Sequence, residues 1–120
     1  MLAVNVQVVY VGVNPSTNET KLSYFPEKVT AEPGSMVQFQ FLAGKHTITQ
    51  SNFDNPCVPL GNVNSSAQGI FSGAMDVAAS QALGVVPTYT VMINDTKPLW
   101  LYCTTGPHCA SGMSMVINEK

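Results

Sequence analysis

The residues with the most chemistry in this chain lie near one end: Cys103, four residues, His108, four residues, Met113. A thiolate, an imidazole and a thioether at this spacing can meet at one point if a strand ends at Cys103. The chain would then turn tightly through Gly106-Pro107 and a new strand would start near Met113. A second imidazole must come from elsewhere, and the chain has only one other histidine, His46. Two imidazoles and a thiolate with a weak axial thioether form a copper donor set suited to both Cu(I) and Cu(II). Structural zinc draws its ligands mainly from Cys and His and seldom uses Met. The set leaves no open position for a substrate, so the reading is of a metal protein and not of an enzyme. Met115, two residues beyond Met113 on the same strand face, is the rival axial ligand.

The cysteine count is three: Cys57, Cys103 and Cys109. In a secreted protein an odd count calls for a use of the leftover thiol. If Cys103 is a metal thiolate, the remaining pair is Cys57–Cys109. The other pairing kept open is Cys103–Cys109 with Cys57 free.

Composition bounds the partners. Charged residues are 10% of the 120, against about 25% in an average domain. The net charge is −2 and there is no Arg, so nucleic acid is excluded as a partner. No apolar run has the roughly 18 residues of a membrane span. The charged start and cleavage site of a signal peptide are not legible. Asn18, Asn64 and Asn94 each open an N-glycosylation sequon and are expected glycan sites if the protein is secreted.

The elements that must position the donors read as strands. Residues 2–12 are β-branched and partly alternating. Residues 22–25 and 28–31 are short candidates, separated by Pro26, and the polar stretch before Leu22 reads as a loop. Glu32-Pro33-Gly34-Ser35 is a turn. Over residues 36–42, Val37, Phe39 and Phe41 share one face and Gln38 and Gln40 the other. Residues 45–50 read as one strand carrying His46. Residues 51–73 are irregular, and a connection that long is expected to be functional or tied down. Residues 76–83 are the one helical candidate, ending at Gly84. Residues 87–93, 99–103 and 113–118 are the last strands. Met36, Met75 and Met92 are expected in the core. The sum is a single all-β domain over residues 1–120, an antiparallel Greek-key sandwich with one short helix.

Trp100-Leu101-Tyr102-Cys103, His108-Cys109, Gly112-Met113 and Val116-Ile117-Asn118 resemble the C-terminal half of cupredoxins, the blue copper proteins. The match is with the phytocyanin-like branch, where a disulfide cysteine follows the ligand histidine. Phe25-Pro26, Ala31-Glu32-Pro33-Gly34, Val37-Gln38-Phe39, residues 46–51, Pro56-Cys57 and residues 94–98 are similar to fungal extracellular cupredoxin domains. The resemblance implies a two-sheet sandwich with one copper ion at one end. It implies His46, Cys103 and His108 as equatorial ligands and Met113 as the axial one. It further implies that the His108 edge reaches the surface beside Gly106 and Pro107, and that the Thr47 N–H donates to the Cys103 sulfur. The function expected is one-electron transfer outside the cell or at its surface, by a monomer, with a redox partner protein or a small-molecule reductant. Copper storage or supply, and a structural surface module, are the competing readings. A three-copper oxidase would need more than two histidines.

Overall fold

A computed structural model describes residues 5–54, 56–60 and 69–119 of the chain. Among the described residues the elements follow in this order: β1 (Val6–Asn14), β2 (Glu19–Phe25), β3 (Lys28–Val29), β4 (Met36–Phe41), β5 (Lys45–His46), β6 (Thr49–Ser51), β7 (Met75–Asp76), α1 (Val77–Gln81), β8 (Thr88–Met92), β9 (Leu99–Tyr102) and β10 (Ser114–Ile117). One sheet runs β2-β1-β4-β8 and the other β3-β10-β9-β6, with a small β5-β7 ladder beside them.

The alternation along β4 has the expected effect. Val37, Phe39 and Phe41 are fully buried, and the residues between them are half-buried. They share one apolar core with Val9, Val11 and Tyr24 of their own sheet and with Ile48, Leu101, Met113 and Ile117. Burying such side chains supplies the main favourable term, about 1.5–3 kcal/mol for each large one. The Glu32–Ser35 turn closes with the Ser35 N–H donating to the Glu32 carbonyl. Asp76 caps α1 by accepting from the Ala78 N–H, 3.1 Å.

The sandwich is the expected one, but its pairings are mixed. β1 lies parallel to β4 over Val6–Val11, and β10 lies parallel to β3. Alternation specifies which face of a strand is buried and says nothing about the direction of its neighbour. β2 also starts earlier than expected, because Glu19, Thr20 and Lys21 sit on an exposed edge strand where polar side chains are compatible with pairing. The 45–50 strand is broken in two. Its middle residues Thr47 and Ile48 leave the ladder, and residues 46–49 are all buried. Met75 packs against the core and Met36 is half-buried, but Met92 is 57% exposed on the outer face of edge strand β8. A position on that face has no second layer to cover it.

Candidate metal centre

The strand break at Thr47 builds the site. β4 delivers the chain to residues 42–44, and His46 then turns inward at 3% exposure. The imidazole of His46 donates to the Ala43 carbonyl. Its Nδ1 is 3.7 Å from Cys103 Sγ, which leaves Nε2 as the donating atom. The neutral ring therefore points its Nδ1 lone pair at the sulfur. Burial keeps the pKa of His46 below the usual imidazole value, with the Ala43 carbonyl pulling weakly the other way.

Two glycines make this approach possible. At Gly44 (φ +79) an added Cβ would stand 2.7 Å from His46 Nε2, and at Gly12 (φ +90) it would stand 2.4 Å from the Ala43 oxygen. The parallel pairing of β1 with β4 brings Gly12 to this loop. The Val77 N–H at the start of α1 donates to the Gly44 carbonyl, 3.0 Å, and closes the loop from the other side.

The second half of the site is the turn between β9 and β10. Cys103 is fully buried where β9 ends. The backbone then coils tightly: the His108 N–H donates to Thr105 O, the Met113 N–H to His108 O, and the Cys103 N–H to Met113 O. These bonds place His108 Nδ1 3.5 Å from Cys103 Sγ and bring the two imidazole rings to a centroid distance of 5.0 Å. Met113 and Met115 are both buried. Met113 is bonded through its backbone to both Cys103 and His108, whereas Met115 pairs with Leu101 one step down the ladder. Cys57 and Cys109 are joined by a disulfide with a Cα–Cα distance of 5.8 Å, tying the 56–60 segment to the residue after His108.

The sulfur is set for a negative charge. Burial pushes the Cys103 thiol up. Hydrogen bonds from the Thr105 side chain and N–H, the Thr47 N–H and His108 outweigh it, and the thiol lies below its usual range. The Thr47 N–H contact expected from the resemblance is thus present. The Thr47 side chain does more than the sequence indicated. Its Oγ1 accepts from the Thr104 N–H at 2.9 Å and lies 3.0 and 3.1 Å from the Thr49 and Thr104 hydroxyls. It stitches the His46 segment to the Cys103 segment. Tyr24, a core strand residue to the eye, also donates its hydroxyl to the Thr47 carbonyl, 2.6 Å. The only sequence signal for this pair was polarity on positions that strand patterning buries.

The donors can be tested against an ion. Bonds of about 2.0 Å to nitrogen and 2.3 Å to sulfur, at angles of about 120°, put nitrogen and sulfur about 3.7 Å apart. The two separations here are 3.7 and 3.5 Å. His46, Cys103 and His108 are the one cluster of this kind among the described residues, with all donor atoms within 4.8 Å of one another. The donor chemistry, two imidazoles, a thiolate and a nearby thioether, suits copper.

The comparisons with known proteins agree with this geometry. No family model matches the chain. An "Extracellular serine-rich protein" of the fungus Arthroderma benhamiae is 39% identical over 98 residues, covering 82% of this chain and 35% of that protein. A "Probable GPI-anchored cupredoxin-1" of the same fungus is 31% identical over 97 residues, covering 81% of this chain and 45% of that protein. The chain thus spans less than half the length of these two relatives. Among solved structures, plastocyanin from Dryopteris crassirhizoma matches with a TM-score of 0.55 at 20% identity, over 94% of this chain and 99% of that one. A purple cupredoxin from Nitrosopumilus maritimus matches at 0.61 and 12% identity, over 92% and 96%. A copper-containing nitrite reductase from Thermus scotoductus matches at 0.58 and 13% identity, but this chain covers 22% of it. The chain has the cupredoxin fold and over 81% of its length is similar to a fungal protein named as a cupredoxin. With that fold goes a candidate site, His46, Cys103 and His108, whose donors suit one copper ion.

Proposed function

We propose that His46, Cys103 and His108 hold the copper ion, with Met113 as the axial donor, and that the protein carries single electrons outside the cell or at its surface. The observation that carries this reading is the pair of nitrogen–sulfur separations, 3.7 and 3.5 Å, converging on one buried thiol. Copper in such a donor set supplies a one-electron couple between Cu(I) and Cu(II).

The protein's own residues do three things for that chemistry. They keep water out: Cys103 and Met113 are fully buried and His46 nearly so. They hold the donors still, through the Ala43 carbonyl on His46, the Thr47 hydroxyl on Thr104 and the disulfide beside His108. A donor set that cannot relax needs little rearrangement when the charge changes. Third, they bring one donor to the surface: His108 is half-buried between the exposed residues Gly106, Pro107 and Ala110, and it is the proposed entry for the electron.

A redox partner protein or a small-molecule reductant docks at this end. Val85 and Val86 are exposed in the segment joining α1 to β8. That segment is anchored at the same end by the Val77–Gly44 and Phe41–Pro87 backbone bonds. The names of the two fungal relatives and the disulfide support an extracellular setting. Asn18 and Asn94 are exposed and are the proposed glycan sites; Asn64 lies outside the described residues. Residues 1–120 act as one domain without catalytic activity of their own.

The test is the visible spectrum on adding Cu(II), followed by voltammetry. An intense thiolate-to-copper band that disappears in Cys103→Ser, with a reversible one-electron wave, is the expected result. A band without a reversible wave points to copper storage. Absence of the band overturns the ligand assignment.

A further inference from the structure

Tyr24 is the largest fully buried polar side chain in the molecule's described core, and the electron-transfer reading gives it no task. It sits on β2, the edge strand of its sheet, yet its ring points inward and meets Phe39 edge to face at 6.4 Å. Its hydroxyl crosses the sandwich to one acceptor, the Thr47 carbonyl, at 2.6 Å. A phenylalanine would fill the same space. The hydroxyl therefore has its use in what it grips.

Thr47 is bonded on every side that faces the site. Its N–H donates to Cys103 Sγ, its Oγ1 accepts from the Thr104 N–H, and its neighbour His46 faces the same sulfur. These contacts all lie on the site side of the residue. Thr47 belongs to no strand; the peptide that carries its carbonyl is held at its other edge by the Ile48 N–H, which donates to Ser72 Oγ at 2.8 Å. Among the described residues, the Tyr24 hydroxyl is the group that holds the Thr47 carbonyl oxygen itself. Burial, then Cys103 and Tyr102 nearby, raise the tyrosine's pKa, so the hydroxyl is a protonated donor at neutral pH.

We propose that Tyr24 is a positioning residue for the metal centre: its hydroxyl holds the Thr47 carbonyl and so restrains the backbone of the residue whose N–H bonds the Cys103 sulfur. The inference rests on Cys103 being the copper thiolate. An N–H donor on that sulfur draws off electron density and favours the reduced ion, so loosening it favours Cu(II).

The experiment is Tyr24→Phe in the copper-loaded protein, read by potential and by the thiolate-to-copper band. The metal-free protein is read by hydrogen exchange at the Thr47 amide. The expected result is faster Thr47 exchange, a shifted band, and a relative affinity for Cu(I) over Cu(II) lowered at least threefold. At 59 mV per decade for one electron that is a fall of about 28 mV. Site-specific 3-fluorotyrosine at position 24, a stronger donor of nearly the same shape, moves the potential the opposite way and tests the idea if the phenylalanine variant does not fold. Unchanged potential, band and Thr47 exchange in both variants, with only stability altered, overturns the proposal. A wild-type protein lacking the band altogether instead fails the ligand assignment on which it rests.

Discussion

Replacing Gly44 by alanine separates two costs that this structure makes distinguishable. The backbone at Gly44 has φ +79, which a residue with a Cβ pays for at about 1–2 kcal/mol. The new Cβ would also stand 2.7 Å from His46 Nε2, where ordinary contact begins at 3.4 Å. The ring must therefore retreat by about 0.7 Å, more than the roughly 0.5 Å tolerance of a preorganised site. Retreat breaks the bond to the Ala43 carbonyl, and a buried acceptor left unsatisfied costs about 1–3 kcal/mol. The metal-free protein should lose about 2–5 kcal/mol in urea unfolding. Copper affinity, measured by competition with a chelator, should fall about 10–100-fold, as when an outer-sphere partner of a ligand is lost. Gly34→Ala is the control. Gly34 has φ +89 but open space around its Cβ, so it should cost only the backbone strain of about 1–2 kcal/mol and leave copper affinity unchanged. Equal stability losses and equal copper affinities in the two variants would refute the argument that Gly44 serves the approach of His46.

Opening the disulfide with Cys57→Ser and Cys109→Ser should lower stability by about 4 kcal/mol, from the sequence separation of 52 that the bridge spans. Urea unfolding with intact and substituted chains measures it. Thr47→Val keeps the shape but leaves the Thr104 N–H without its acceptor, and should cost about 1–3 kcal/mol, checked by thermal unfolding of the metal-free protein. The metal-free protein should also weaken in mild acid. His46 has a lowered pKa in the folded state, so the unfolded chain takes up its proton first as pH falls. The stability contributed by the neutral ring is complete above about pH 6.5 and is lost as pH falls towards the lower folded value, with a slope of at most about 1.4 kcal/mol per pH unit. A His46→Gln variant whose stability falls as steeply over that window would assign the effect to another group.

Much of the architecture was readable because it follows from side-chain periodicity. The Val37, Phe39, Phe41 alternation marked a strand with one buried face, and Asp76 marked the start of the helix. The donor cluster was readable for a different reason, scarcity: with two histidines in the chain, His46 had no competitor. What was not readable depends on which strands become neighbours. Periodicity cannot distinguish a parallel partner from an antiparallel one, so neither the β1–β4 pairing nor the role of Gly12 against Ala43 was visible. Met92 looked like core because its residue type is apolar, but its face of β8 has no layer above it. Tyr24 and the Thr47 hydroxyl were hidden for the same reason. Their partners are 23 and 57 residues away, and no local pattern encodes such a contact.

That distance also orders events in time. His46 and Cys103 are separated by 57 positions, and the turn that carries His108 is held by a strand that pairs with Lys28–Val29 near the opposite end. A growing polypeptide that has released β1 through β8 presents His46 but not Cys103, His108 or Met113. The donors come together only after Ser114–Ile117 has paired with both β9 and β3, so the site is complete only in the folded chain.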